Sequence, residues 1–357
     1  MRNRTGSNAI LPRWLWLFVA RARRLIIVRE CRDFRWRANH SSLINPILRV
    51  FIVTGFLASA AVDVHAAFDD LPISAQAAAM GGASLASQGD SAALFLNPAG
   101  VAGLRSPEAY LMYNQLYSGL SGVGSIGQGL ITAGVPTSIG TVAVGFSNFQ
   151  ASGLLEERVF GVTFARHWLG SVEVGVTGKY FYHSYLIGSD PSAASDPVFN
   201  NGAARGAFAL DVGLIAPVSS QLKVGLVVRN LNQPDVGLST VDRVPREIQT
   251  GLAYEISPWA LRLTADYTYS AFQSGSLSEQ NQFGIGFEKG FVNDMVKLRL
   301  GATLDQFSGG VGIQLGPLGL DYTCILSRTV LANNAGTQMV GMRYRFGGAA
   351  QSPPRGN

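Results

Sequence analysis

The chain has 357 residues, of which 14% are charged, 47% are hydrophobic and 42 are glycine. This balance excludes intrinsic disorder and is unusual for a water-soluble globular protein. The formal net charge is +5, but residues 1–66 hold 11 of the 28 basic residues and only 3 of the 23 acidic ones. The rest of the chain has 17 basic and 20 acidic residues, a net charge of −3. A basic surface for nucleic acid is therefore excluded.

The first 66 residues have the features of a targeting segment. An apolar run over residues 50–62 follows Arg49 and precedes a small-residue site that ends at Ala66, which is the order of a signal peptide. We predict a signal peptide over residues 1–66, cleaved between Ala66 and Ala67, whose N-terminal region is either extended or starts upstream of the true start codon. A membrane anchor is the alternative, although spanning helices need about 20 apolar residues. No such run follows residue 66, which argues against a helical membrane protein.

The segment after the leader is rich in alanine and has helical character. Gly81 and Gly82 predict the end of a first helix, and Asp90 is a candidate N-cap for a second helix over residues 91–96. Pro98 disfavours helical dihedrals at Asn97, whose side chain is suited to an Asx turn. Two interpretations stay open for these two residues: a helix stop alone, or a contact with the wall of a surrounding barrel.

From about residue 107 the sequence alternates between apolar and polar residues, which is the period of β-strands. Leu261, Leu263 and Ala265, for example, alternate with Arg262 and Thr264. We predict fourteen strands, near residues 108–117, 128–136, 140–149, 157–168, 170–185, 205–217, 220–230, 246–256, 259–270, 280–290, 294–304, 307–315, 317–328 and 337–346.

Short and long connections alternate between these strands. Short turns are predicted at residues 137–139, 168–170, 217–220, 257–259, 291–293 and 316–317, and long loops at residues 187–204, 231–245, 271–279 and 329–336. This pattern is typical of bacterial outer-membrane barrels, whose turns are periplasmic and whose loops are extracellular. The predicted fold is all-β, a 14-stranded antiparallel transmembrane β-barrel over residues 107–346, integral to the bacterial outer membrane.

Charged residues inside the strands share the face opposite the apolar one. A basic residue that faces lipid at the bilayer midplane costs about 2–4 kcal/mol, so we predict that these charges face the lumen. The predicted ionic lining contains Arg262, Asp266, Lys297, Arg299, Asp321 and Arg343. Pairing that only stabilises the interior is the alternative role. A soluble β-sandwich fits the alternation equally well, but the leader and aromatics near strand ends, such as Trp168 and Trp259, favour the barrel.

Fourteen strands enclose more space than side chains of the wall fill. Residues 67–106 are the segment free to occupy that space, so we predict that they form a short helical hatch. We expect a variant without residues 67–104 to have a larger conductance.

A resemblance to a known family rests on this segment. Residues 81–83 read GGA and residues 88–100 read QGDSAALFLNPAG, including Asp90 and the block Asn97-Pro98-Ala99. This motif resembles the N-terminal signature of outer-membrane barrels related to the FadL long-chain fatty-acid transporters and the PorV/PorQ proteins. The layout of the whole mature chain, a hatch followed by fourteen strands, is similar as well.

The resemblance to FadL implies passive uptake of hydrophobic small molecules, such as long-chain fatty acids or hydrocarbons, across the outer membrane. It also implies an inward kink in the third strand, for which Gly145 is the candidate. The resemblance to PorV implies the alternative, a barrel that transports nothing and binds protein partners of a secretion or surface-attachment system. The polar loop at residues 187–204 is not an obvious apolar groove, which keeps this alternative open.

The C-terminus resembles the signal that barrel-assembly machinery recognises. The segment Gly341–Phe346 has this pattern, but here a periplasmic tail over residues 347–357 follows it. The expected partners are therefore outer-membrane lipid, a hydrophobic ligand, barrel-assembly machinery and, in the alternative, secretion proteins.

Other chemistry finds little support. His167, His183 and Cys324 are the histidines and cysteine after the leader, too few for a metal cluster. Ser184 adjoins His183, but adjacent strand residues point to opposite faces, so they do not form a nucleophile and base. A glycine pattern at residues 122–127 lies between strands and not before a helix. We expect no enzyme activity, cofactor or metal.

Overall fold

The computed structural model describes residues 73–87, 89–119, 126–151, 153–187, 195–271, 280–327 and 335–347. The predicted signal peptide, its cleavage site at Ala66 and Ala67, and residues 348–357 of the predicted tail lie outside the described residues. Within the described ranges, no helix has the length and apolar character needed to cross a membrane.

Fourteen antiparallel strands, β1–β14, form one closed barrel in which each strand pairs with its neighbours in sequence and β1 pairs with β14. The strands are β1 (Glu108–Leu116), β2 (Ile126–Pro136), β3 (Thr141–Ala151), β4 (Leu155–Trp168), β5 (Val172–Tyr185), β6 (Ala204–Pro217), β7 (Leu222–Arg229), β8 (Arg246–Ile256), β9 (Leu261–Ala271), β10 (Gln280–Phe291), β11 (Val296–Thr303), β12 (Gln306–Leu315), β13 (Leu318–Ser327) and β14 (Thr337–Arg345). The predicted fold class is confirmed, and no predicted strand end differs from the observed one by more than two residues.

Side chains alternate between the exterior and the interior of the barrel. On β13, Leu320 and Tyr322 are exposed on the outside, whereas Asp321 and Thr323 are buried on the inside. Because the sheet closes on itself, no second sheet covers the apolar face, which excludes the β-sandwich. A closed barrel with an apolar exterior is the form in which strands span a bilayer, so this is an integral outer-membrane barrel.

The two ends of the barrel differ in the length of their connections. At one end tight turns join β2–β3, β4–β5, β6–β7, β8–β9, β10–β11 and β12–β13, and residues with positive φ close several of them, including Gly170 (83°), Ala260 (47°) and Gly316 (58°). The first and last strand residues, Glu108 and Arg345, lie at the same end and are paired. This end is therefore the periplasmic one.

Residues 73–104, which we call the hatch, lie inside the barrel. A short helix, α1 (Ala75–Ala79), has Ser74 as its N-cap and ends at Gly81 (φ 66°) and Gly82 (φ 77°), at the predicted stop. Two 3-10 helices follow, Ser91–Phe95 and Pro98–Gly103. Most hatch residues are buried, and Ala92, Leu94 and Val101 have no exposed surface.

Two local predictions for the hatch need correction. The helix after Asp90 is a 3-10 helix, and the Asp90 side chain makes no capping hydrogen bond, because its carboxylate binds Arg343 instead. Pro98 does more than end a helix: it is the first residue of the second 3-10 helix. The fixed φ of proline suits that position, and its missing N–H is one that the first turn leaves unpaired.

Candidate functional site: the hatch, the lumen wall and the cavity between them

Glycines of the wall make room for large side chains of the hatch. Gly145 on β3 and Gly161 on β4 are direct cross-strand partners. A Cβ atom at Gly145 would lie 2.7 Å from Leu94 Cδ2, and one at Gly161 would lie 2.6 Å from Leu94 Cδ1. Any larger residue at either position would collide with Leu94 or Phe95. The hatch therefore packs directly on the backbone of these strands.

The same arrangement continues around the barrel. Eleven inward glycines on ten strands, which we call the glycine belt, are sites where an added Cβ would lie in close contact with the hatch. They are Gly134, Gly145, Gly161, Gly175, Gly213, Gly225, Gly251, Gly284, Gly286, Gly301 and Gly310. Four of the cross-strand pairs consist of two belt glycines: 145 with 161, 175 with 213, 225 with 251, and 286 with 301. The hatch thus follows the wall around most of its circumference.

Asn97 connects both parts of the hatch to the wall. Its Oδ1 accepts a hydrogen bond from Ala99 N (3.1 Å), which is the Asx turn, and its Nδ2 donates to Leu85 O (3.2 Å) within the hatch. The same Nδ2 donates to Leu214 O of β6 (3.4 Å). Asn97 lies against Gly213, where a Cβ atom would overlap its Oδ1. The Asn97-Pro98 pair is therefore more than a helix stop, because Asn97 contacts the barrel wall.

Asp266 occupies the one strand between β2 and β12 that has no belt glycine. On β9, its Oδ2 accepts hydrogen bonds from Ser84 N and Leu85 N, both at 2.8 Å. Its cross-strand partners are Gly251 and Gly284. Charged acceptors form the stronger kind of backbone hydrogen bond, so Asp266 fixes the middle of the hatch to the wall.

Arg343 holds the hatch at the closure of the barrel. Its Nη2 donates to Asp90 Oδ2 at 2.5 Å, and its Nε lies 3.6 Å from Glu108 Oε2. Glu108 in turn accepts a hydrogen bond from Ser91 N at 3.0 Å. All four side chains are buried, so each charge depends on its partners for solvation.

The other predicted lining residues meet around Glu288, a residue that the predicted lining omits. Glu288 accepts from Arg262 Nη1 (3.0 Å) and Arg299 Nε (2.6 Å), and Lys297 Nζ lies 3.6 Å away. Arg299 Nη1 also donates to Asp321 Oδ1 (2.6 Å). The network therefore joins β9 to β13 on the periplasmic side. Glu288, the centre of the network, is one more charged residue on the inward face, and this was the sequence signal for including it in the lining.

A second charged cluster, outside the predicted ionic lining, lies in the extracellular half. Lys179 Nζ is 2.9 Å from both Asp211 Oδ2 and Asn230 Oδ1, and Arg229 Nη2 is 2.7 Å from Glu247 Oε2. The charged residues of this cluster lie on β5 to β8, and Asn230 lies in the loop between β7 and β8. Their inward direction was predictable, but their pairing depends on strand register.

The loop between β7 and β8 folds into the extracellular mouth. Val236 and Val244 are buried and pack with Phe181 and Ala209 of the wall. Although burial raises the pKa of Asp235 in this loop, hydrogen bonds from the N–H groups of Gly237 (3.0 Å) and Asp242 (2.9 Å) outweigh it and lower that pKa. The loop narrows the lumen above the hatch.

A cavity of about 140 Å³ remains between the hatch and strands β7–β13. Its hatch side is apolar and includes Ile73, Ala77 and Leu96. Its wall side is polar and includes Arg229, Gln249, Asp266, Thr268, Gln282, Thr303, Gln306 and Ser308. A molecule with one apolar and one polar face fits such a lining.

Gly145 was predicted to be the site of an inward kink in β3, but it lies in a continuously paired part of that strand. β3 pairs with β2 and with β4 at every position from Thr141 to Ala151, through Gly145. The wall is thus hydrogen-bonded at this glycine, and its lack of a side chain accommodates Leu94 and Phe95. An opening in the wall at β3 stays a prediction.

Comparison with solved structures assigns this architecture. The CymD monoaromatic hydrocarbon channel aligns with a TM-score of 0.61 at 13% identity, over 79% of this chain and 100% of that one. The Pseudomonas putida toluene transporter TodX gives 0.54 at 13% identity, over 78% and 98%. A Pseudomonas aeruginosa FadL homologue gives 0.54 at 14% identity, over 78% and 99%. The chain has the FadL-type barrel fold.

The FadL-type fold confirms the resemblance inferred from the hatch motif, at the level of architecture. No protein-family model and no curated protein sequence matches the chain. At 12–14% identity the FadL-type structures share a fold with this chain, and they leave its ligand to be argued from its own residues. The PorV/PorQ part of the resemblance stays a prediction.

Proposed function

We propose that this protein is an outer-membrane channel for passive uptake of hydrophobic small molecules. The observation that carries the proposal is the cavity between the apolar side of the hatch and the wall. A barrel of fourteen strands filled by a hatch is closed to bulk solvent flow, yet this cavity can hold a small guest. Apolar pockets with a few placed polar groups are the usual form of small-molecule sites.

The fold similarity supports the same function. The similar structures are described as a monoaromatic hydrocarbon channel and a toluene transporter. The ion pairs on the periplasmic side of the hatch oppose direct passage of an apolar molecule, because burying such a molecule against charges forfeits their solvation. In the proposed mechanism the guest enters past the β7–β8 loop, rests against the hatch and leaves after a local rearrangement of the hatch or the wall.

The direct test is uptake by cells that lack their own hydrophobic-compound channels. Expression of the full protein should raise the initial rate of uptake of radiolabelled toluene or oleate over cells with an empty vector. A correctly assembled barrel that gives no increase for any hydrophobic compound would refute the proposal.

A second test measures conductance in planar bilayers. A variant lacking residues 73–104 should conduct more than the full protein because its lumen is no longer filled. An unchanged conductance would show that the hatch does not close the lumen.

The alternative function, binding of protein partners in a secretion or surface-attachment system, predicts a different result in the same cells. The barrel would then co-purify with a defined protein from its native outer membrane and show no uptake. The loops at the extracellular end are the surface such a partner would contact.

A further inference from the structure

Three uncharged polar side chains form a row along the wall of the cavity. Gln249 on β8 is the cross-strand partner of Thr268 on β9, which is the cross-strand partner of Gln282 on β10. All three line the cavity. Direct cross-strand neighbours have Cβ atoms about 4.5–5.5 Å apart, so the row presents two amides and a hydroxyl within the reach of one small molecule.

Several other polar groups of the cavity are already engaged. Ser308 Oγ accepts a hydrogen bond from Gly81 N (3.1 Å), and Thr303 Oγ1 accepts from the backbone of the β11–β12 turn. Arg229 is paired with Glu247 at 2.7 Å. The side chains of Gln249 and Gln282, by contrast, have no hydrogen bond with any other residue that the structure describes. Together with Gln306, whose side chain likewise makes no hydrogen bond with a described residue, they are the groups available to a ligand.

The carboxyl group of Asp266 lies beside this row and has no basic partner among the described residues. Asp266 lies two residues before Thr268 on the same inward face, and its Oδ2 is bound to two backbone N–H groups of the hatch. Its Oδ1 is buried without a hydrogen-bond partner, and no cation among the described residues forms an ion pair with it. A ligand that carries a carboxylate would therefore be buried here without a counter-ion of its own, because the basic residue of the lining, Arg229, is paired with Glu247.

The size of the cavity limits the guest further. Its volume is about 140 Å³, close to the roughly 150 Å³ of an apolar protein cavity that holds one benzene molecule. One aromatic ring therefore fills it.

We propose that the cavity selects a neutral one-ring compound that carries a hydroxyl group, with its ring on Ile73, Ala77 and Leu96 and its hydroxyl on the row of Gln249, Thr268 and Gln282. This proposal rests on the proposed uptake function and names its substrate class. An unsubstituted hydrocarbon fills the same space but forms no hydrogen bond with the row, which lowers its affinity relative to the hydroxyl compound. A carboxylate analogue is disfavoured because its charge would be buried without a counter-ion.

The test compares three molecules of matched shape: toluene, 4-methylphenol and 4-methylbenzoate. Isothermal titration of the full-length protein in detergent should give a dissociation constant for 4-methylphenol about tenfold lower than for toluene, as expected for one net hydrogen bond. Binding of 4-methylbenzoate should be weaker still. Equal affinities for toluene and 4-methylphenol, or preferred binding of 4-methylbenzoate, would overturn the substrate class while leaving the uptake function in place. No binding of any of the three, together with no uptake, would instead remove the proposed function.

Variants of the row separate a specific contact from general apolar binding. The double substitution Gln249→Leu with Gln282→Leu keeps side-chain size and removes both amides. We expect the preference for 4-methylphenol over toluene to fall from about tenfold to less than about threefold, with toluene bound as well as before or better. Gln150→Leu, on the outer face of β3, is the matched control and should retain the preference. If the double variant fails to assemble, Gln282→Leu alone should lower the preference, and an unchanged preference in either variant contradicts the proposal.

Discussion

The two sides of the barrel hold the hatch by different combinations of contacts. On the packed side, strands β2–β6, the wall contributes glycine backbone and the hatch contributes large side chains such as Leu94 and Phe95. On the charged side, strands β8–β14 and β1, the wall contributes side chains such as Asp266 and Arg343, and Asp266 receives backbone N–H groups of the hatch. One side is fixed mainly by shape, whereas the other, which carries five of the belt glycines as well, adds buried charges.

The difference teaches how a short segment with little regular structure is held firmly in a wide barrel. The hatch has one helical turn and two 3-10 helices, so many of its backbone groups lack partners within the segment. A buried backbone group without a partner is costly. The charged side supplies those partners. For example, Ala75 N donates a hydrogen bond to Tyr110 Oη (3.1 Å), and Gly81 N donates one to Ser308 Oγ (3.1 Å). The packed side supplies apolar burial.

The largest expected effect of a single substitution is on the charged side. Arg343→Met leaves Asp90 and Glu108 buried without their common cation, which should lower the free energy of unfolding by about 3–5 kcal/mol. Urea unfolding in lipid vesicles measures the loss. Arg345→Met is the control, because Arg345 is one-third exposed at its pair with Glu108, and it should cost about 1 kcal/mol or less. Equal losses for the two variants would mean that Arg343 is not the anchor of the hatch.

On the packed side the matching test is Gly175→Val. A Cβ atom there overlaps the backbone of Pro98, so the hatch or the strand must shift, at a cost of about 1–3 kcal/mol. Gly178 lies on the same strand, where an added Cβ meets no atom within 4 Å. Gly178→Val should therefore leave the unfolding free energy unchanged. A hatch that tolerates Gly175→Val equally well does not lie against the wall at β5.

Asp266→Asn tests whether charge or shape holds the middle of the hatch. The amide keeps the size of the side chain but weakens the two hydrogen bonds from Ser84 and Leu85, which should cost about 1–2 kcal/mol. The same change should increase brief openings in planar-bilayer recordings. Asp305→Asn, in the exposed β11–β12 turn, serves as the comparison. If neither the unfolding free energy nor the frequency of openings changes, packing alone fixes the hatch to β9.

The smallest effect is expected outside the barrel. Arg158 and Glu156 form an ion pair of 2.7 Å on the outer face of β4, and the Arg158 side chain is 41% exposed. Exposed pairs of this kind contribute about 1 kcal/mol at most. Glu156→Gln should therefore shift the urea midpoint little, and a loss comparable to that of Arg343→Met would show that the contrast between inner and outer charges is mistaken.

Much of the fold was predictable because strands carry a local signal. A residue's position in a period-two pattern decides whether it faces lipid or lumen, as Asp321 and Leu320 show, and turn residues such as Gly316 mark where the pattern reverses. For the site, the sequence predicted the direction of Arg262, Lys297, Arg299 and Asp321. It did not identify Glu288 as their common partner, nor that Asp266 binds the hatch.

The sequence by itself determined the number of strands, their ends, the face of each charge and the place of the hatch in the chain, because these follow from neighbours along the backbone. Only the tertiary structure decided which partners meet. The register of fourteen strands places Gly145 opposite Gly161 and sets Gln249, Thr268 and Gln282 in one row. The path of the hatch then decides which wall residues contact the hatch and which line the cavity. Such pairings depend on groups brought together by closure of the barrel, and no local pattern encodes them.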